Sequence, residues 1–383
     1  MICTKCEKDC RLSERPKGVC PHCFQRFVFE PADKPRDPIT DRLFLNAVNT
    51  VSSEGSVRWT IDSLYYEICR RKKVNWFQVL IGLFYFNGVF LICVTSLVVA
   101  KTPRFVPYIV TLAVFLAFGI SCYYIGRLRY VRLSRQIFQE LYDRWEALRG
   151  PPPGVIERRM TPITEAAVQV EDDVADYSFD RAVICDRRET ADLLLANDFH
   201  FENNCAVLSI DGYPQRLFDT VRQMLRRNPK LKVYAIHDAT VGGCQMAENI
   251  ATDAAWFGGG VPVIDVGLRP SHARRMKGLW HPASDQQQPA TSGITVREAK
   301  WLKRHRLELA AIPPEQLIKR LYRAMSQEID TSRPEPRVIY LADRWLSKSE
   351  RTVADGGDVF SDGGPSSFAH PATDMEGLSD SFG

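Results

Sequence analysis

Cys3-x-x-Cys6 and Cys20-x-x-Cys23, with thirteen residues between them, place two thiolate pairs near the start of the chain. Four thiolates so spaced suit tetrahedral Zn2+, with Zn–S distances near ~2.3 Å. Such a shell has no open position for catalysis, so its expected role is structural. Residues 1–30 are too few to bury a core, so the metal is expected to supply their folding energy as a zinc ribbon. Cys10 and His22 are spare ligand candidates, and Cys10 can stand in for Cys6. Far down the chain, Asp186, Asp211 and Asp238 each follow a short apolar run: 182–185, 205–210 and 232–236. Clustered carboxylates are hard oxygen ligands suited to Mg2+. His237 beside Asp238 is a further candidate, although a histidine at a strand end is more often structural. Lys300, Trp301, Lys303, Arg304 and Arg306 interleave cations with an indole. That pattern fits a nucleic-acid backbone with one stacked base; it equally fits anionic lipid or a solvated helix face. Gly258-Gly259-Gly260 lacks the Lys-Ser/Thr of a phosphate-binding P-loop.

These residues need elements to hold them. Apolar runs alternate with helical stretches over residues 180–270, the pattern of a parallel α/β sheet. Ligands of such sheets bind beyond the carboxyl ends of the strands, where the three aspartates fall. Helices are expected near 296–309 and 314–328, completing an α/β domain over about 175–345. Residues 39–73 read as helix–turn–helix. Residues 347–383, rich in Gly, Ser and Asp, read as a flexible tail. No internal repeat is legible. The 383 residues are 45% hydrophobic and 25% charged, the mix of a folded multidomain chain. A net charge of +4 is too mild to argue for a nucleic-acid or membrane partner without a local patch. Eleven cysteines, four of them in two close pairs, fit a reducing compartment and a metal site better than a disulfide framework. No apolar leader follows Met1, so no signal peptide is expected.

Residues 76–100 carry no charge for 25 residues, and 105–125 carry none for 21. The first spans roughly 37 Å as a helix, enough for a ~30 Å hydrocarbon core. Only Lys101–Arg104 separates them, so residues 74–126 are expected to form an antiparallel transmembrane hairpin, with residues 127–150 leaving as a helix. Arg70, Arg71, Lys72 and Lys73 precede the hairpin; Arg127, Arg129, Arg132 and Arg135 follow it. The connecting turn has two cations, so both termini are expected on the cytoplasmic side. The lipid bilayer is the first partner implied.

Four motifs of the α/β region then fall in order: Asp186, Gly212-Tyr213-Pro214, Asp238, and Gly267-Leu268-Arg269-Pro270-Ser271. This order resembles the Toprim domain of the topoisomerase VI A subunit family, over about residues 180–275. The resemblance implies a Mg2+ site with Asp186 and Asp238 as ligands. It also implies a tyrosine nucleophile, which Asp62-Ser63-Leu64-Tyr65-Tyr66 places at Tyr66, and DNA as substrate. Two departures weaken the implied site. Asp186 stands where the family usually has Glu, and Thr240 stands where a second acid follows Asp238. The chain also enters an apolar stretch ten residues after Tyr66, where the family continues its winged helix. Two readings stay open: a non-catalytic binding or scaffold protein for DNA, nucleotide or a protein partner, and a Mg2+-dependent enzyme of nucleic-acid phosphodiesters. A membrane assembly built by oligomerisation of the hairpin is a third class.

Overall fold

The computed structural model describes residues 2–14, 18–29, 39–72, 130–131, 133–156, 179–214, 232–253, 256, 262–283, 293–327 and 338–341. The apolar stretches at 76–100 and 105–125, the triglycine at 258–260 and the tail at 347–383 lie outside these residues. Among the described residues no helix is long and apolar enough to cross a membrane.

The cysteine-rich module is built twice on one pattern. Glu7 N–H donates to the Cys3 carbonyl and Phe24 N–H to the Cys20 carbonyl, both at 3.0 Å. Bridges Ile2–Asp9 and Val19–Arg26 close each turn, and Glu7 and Phe24 both take φ +57°. The two halves are thus a repeat offset by 17 residues. Only the cysteines are shared between them in sequence, which is why no repeat is legible there.

Three helices follow: α1 (Asp41–Val51), α2 (Ile61–Arg71) and α3 (Arg135–Arg149). Thr40, Thr60 and Ser134 cap them, each side chain accepting an N–H three residues on. α2 buries every residue from Ser63 to Cys69. The expected helix–turn–helix is therefore present as two helices, but α2 has no free face with which to read DNA. The helix expected from 127 begins only at Arg135, at the Ser134 cap. Before it, Tyr130 bridges to Trp280, and Val131 N–H donates to the Trp280 carbonyl at 2.9 Å. The cysteine module docks on this layer. Phe29 packs 5.6 Å from the Phe44 ring and 5.9 Å from Trp145. Buried Asp41 accepts the Val28 and Phe29 N–H groups.

The rest is an α/β unit: β1 (Arg181–Cys185), α4 (Arg188–Ala196), α5 (Phe199–Glu202), β2 (Cys205–Ser209), β3 (Lys232–Ile236), α6 (Val241–Thr252), β4 (Val263–Asp265), α7 (Pro270–Ala273), β5 (His281–Pro282), α8 (Val296–Leu302), β6 (His305–Arg306), α9 (Pro314–Ser326) and β7 (Val338–Tyr340). Five strands pair in parallel in the order β2-β1-β3-β4-β7. Their apolar runs do not alternate, because both faces are covered. Val183, Val207, Tyr234 and Ile264 share one core with α4 and the helical layer. Ala182, Ile184, Leu208 and Ala235 lie under Met246, Ala247, Ile250 and Ala251 of α6. Each fully buried large aliphatic contributes about 1.5–3 kcal/mol. The helix expected over 296–309 stops at Leu302, because His305–Arg306 pairs with β5 and Leu307 bridges Ala239.

β1 lies between β2 and β3, and the helices leaving β1 and β3 cover opposite faces of the sheet. That is the topological switch point at which open α/β sheets place their ligands. Asp186 follows β1 directly, and Asp238 lies two residues beyond β3.

Candidate functional site

The Sγ atoms of Cys3, Cys6, Cys20 and Cys23 all lie within 4.8 Å of one another. Cys3–Cys23 is 3.5 Å and Cys6–Cys20 is 3.7 Å. A tetrahedral ZnS4 shell has sulfur–sulfur edges near ~3.8 Å, so the four residues fit such an ion. Burial opposes the Cys20 thiolate, but the amides of His22 and Cys23 and the neighbouring thiols outweigh it and hold its pKa near 6. The cluster can bind a metal such as zinc. Cys10 is buried beside it, its sulfur 3.7 Å from that of Cys20.

At the switch point the acids are engaged by arginine and by backbone. Asp186 Oδ2 accepts the Asp238 N–H at 2.6 Å. Asp238 Oδ1 accepts the Leu309 N–H at 2.6 Å, and its Oδ2 pairs with Arg187 Nε at 2.6 Å. Arg187 also reaches Glu308 at 3.6 Å. Arg135 of α3 pairs with both Glu308 and Asp62. Four carboxyls thus surround two guanidinium groups. Burial first, then the Asp186 charge, pushes the Asp238 pKa up to about 8 against the pull of Arg187. Burial also raises Asp186. Thr240 is spent as the N-cap of α6, its Oγ1 accepting the Gly243 N–H at 3.0 Å. Asp211 is exposed at the end of β2. Among the described residues the one set of three or more metal-ligating side chains within reach of one ion is the cysteine cluster.

Tyr66 points into this charged layer from α2. Its ring lies 5.9 Å from the Arg135 guanidinium, and its hydroxyl is buried with no hydrogen-bond partner. Burial holds the phenol well above its ordinary pKa. A nucleophilic role therefore requires this layer to open. Asp62, Thr60, Arg187, Asp238 and Glu308 line a small open cleft above the switch point.

A second ionic network backs the sheet. His237 Nε2 faces Asp265 Oδ1 at 3.0 Å, and Nδ1 faces the Asp238 carbonyl at 2.7 Å. Both ring nitrogens face oxygens, and the His237 pKa is raised: burial opposes the charge, and Asp265 overrides it. Arg269 bridges Asp265 (3.1 Å) and Glu298 (2.8 Å). A Cβ at Gly267 would fall 2.2 Å from the His237 ring. The Gly267–Ser271 segment thus serves packing and ion pairing here.

Trp301 is buried against Trp280 and His305, so its indole is not offered to a base. Lys300, Lys303 and Arg304 remain at or near the surface, while Arg306 lies in β6. Sequence reasoning missed Arg135, Arg187, Glu308, Asp62 and Asp265. Arg187 had a local signal, standing next to Asp186, and Asp62 stood in the motif that ends at Tyr66. Comparison with family models, with curated proteins and with solved structures finds no match to this chain.

Proposed function

We propose that the protein is a membrane-anchored, zinc-ribbon, Toprim-like protein that binds a partner without catalysing a reaction. Both termini lie on the cytoplasmic side, as the basic flanks of its apolar hairpin suggest. The observation that carries the reading is the state of the strand-end acids. Asp238 is paired with Arg187, Asp186 holds a backbone amide, and Thr240 caps a helix. A guanidinium at that carboxylate competes with any cation for it. The partner is DNA, a nucleotide or another protein, reached from the face where the cleft opens.

One observation favours the second reading, a Mg2+-dependent enzyme of nucleic-acid phosphodiesters. Asp186 Oδ1, at the end of β1, is buried without a partner. A cleavage assay separates the two. The protein is incubated with supercoiled DNA and Mg2+ or Mn2+. The expected result is intact DNA and no protein–DNA adduct. Cleavage that disappears in Tyr66→Phe would establish the enzyme reading instead.

A further inference from the structure

Cys10 is a fifth thiol that a four-thiolate shell does not need. Its sulfur is buried, lies 3.7 Å from the Cys20 sulfur and donates to the Lys8 carbonyl at 3.6 Å. We propose that Cys10 and Cys20 form a peroxide-responsive pair: oxidation joins them as a disulfide, takes one thiolate from the metal shell and releases the ion. The proposal goes beyond the binding role above and rests on the metal reading of the cluster.

The distances allow it. A disulfide needs sulfurs at ~2.05 Å, so the pair must close by about 1.7 Å, within the reach of side-chain rotation. Cys6–Cys20 and Cys3–Cys23 are as close, yet joining either pair breaks two metal–sulfur bonds. Joining Cys10 to Cys20 breaks one. The chemistry balances. The Cys20 thiolate attacks one oxygen of hydrogen peroxide, the O–O bond breaks, and a sulfenic acid and hydroxide result. Cys10 gives its proton to that hydroxide, making water, and its sulfur attacks the sulfenic sulfur and expels the second hydroxide. Two thiols are oxidised by two electrons and one peroxide is reduced. Both sulfurs are buried behind the partly exposed Cys6 and Cys23, so the oxidant must be small. Peroxide fits; a bulky disulfide such as glutathione disulfide does not.

The test uses the zinc-loaded full chain. Zinc release is followed with a chromophoric chelator, and disulfides are mapped by mass spectrometry after peroxide treatment. The expected first disulfide is Cys10–Cys20, appearing in step with zinc release and reversed by dithiothreitol with added zinc. Cys10→Ser should keep its zinc and release it about tenfold more slowly, for want of a resolving thiol. Glutathione disulfide should act far more slowly than peroxide. A first disulfide between Cys6 and Cys20 or between Cys3 and Cys23 would overturn the proposal. So would parental release rates in Cys10→Ser, loss of zinc from that variant, or equal rates with glutathione disulfide. A full chain that binds no zinc overturns the metal reading itself, and with it the release step.

Discussion

Asp238 binds its proton more tightly in the folded chain than a carboxyl does in water, because burial and Asp186 outweigh Arg187. A folded pKa of about 8, against an ordinary 3.8, fixes the sign of the pH dependence. The contribution of that bound proton is full below about pH 4 and is lost as pH rises toward 8. Asp238→Asn should therefore flatten the stability profile between those limits, as measured by denaturant titration at each pH. Asp265 behaves oppositely. Burial opposes its charge, yet His237 and Arg269 hold its pKa at about 2. Its contribution is present above about pH 4 and is lost as pH falls toward 2. Asp265→Asn leaves His237 without its carboxylate and Arg269 with Glu298 alone, and should destabilise the chain by about 3–5 kcal/mol, read from the same titrations. His237 and Asp238 were legible as strand-end residues. Asp265 was not, because a carboxylate inside the run Val263–Asp265 has no spacing that marks it as an ion-pair partner. The arginines that neutralise the site were hidden for a related reason: Arg135 and Glu308 meet across 173 positions of sequence, and no local pattern encodes that contact.

The two halves of the cysteine module meet at one four-thiol cluster that can bind a metal, and the module leans on α1 and α3 through Phe29. Chelation of the metal should therefore change the environment of Trp145, stacked 4.4 Å from Phe44 and 5.9 Å from Phe29. A red shift of tryptophan emission on chelation is expected, and Phe29→Ala should abolish most of it. That substitution should also lower stability by about 3–5 kcal/mol. In the sheet, Gly267→Ala drives a methyl into the His237 ring and should cost about 1–3 kcal/mol in thermal or denaturant unfolding. β1, β2 and β3 were legible because both faces are buried, which writes each as a continuous apolar run. β7 was not, since three residues after a long connection make too short a run to read. The early end of α8 was missed because the basic residues after Leu302 keep a helical pattern while their backbone pairs with β5.

At the scale of the whole chain, one continuous core joins the helical layer to the sheet, so Tyr66, Arg135 and the strand-end acids meet within one chain. The proposed membrane topology is tested by cysteine labelling in sealed vesicles: cysteines introduced at 101–104 should react from outside, and one introduced in the 347–383 tail from the cytoplasmic side only. In the proposed reading, Arg187, the raised pKa of Asp238 and the Thr240 cap leave no competent Mg2+ site at the ends of β1 and β3. Thr240→Asp is a clean probe, because aspartate caps helices as well as threonine does while adding the absent carboxylate. The direct measurement is calorimetric titration of Mg2+ into the unaltered chain and into Thr240→Asp. Weak or absent binding is expected in the first and a clear gain in the second. Tight Mg2+ binding by the unaltered chain, lost in Asp238→Ala, would contradict that reading.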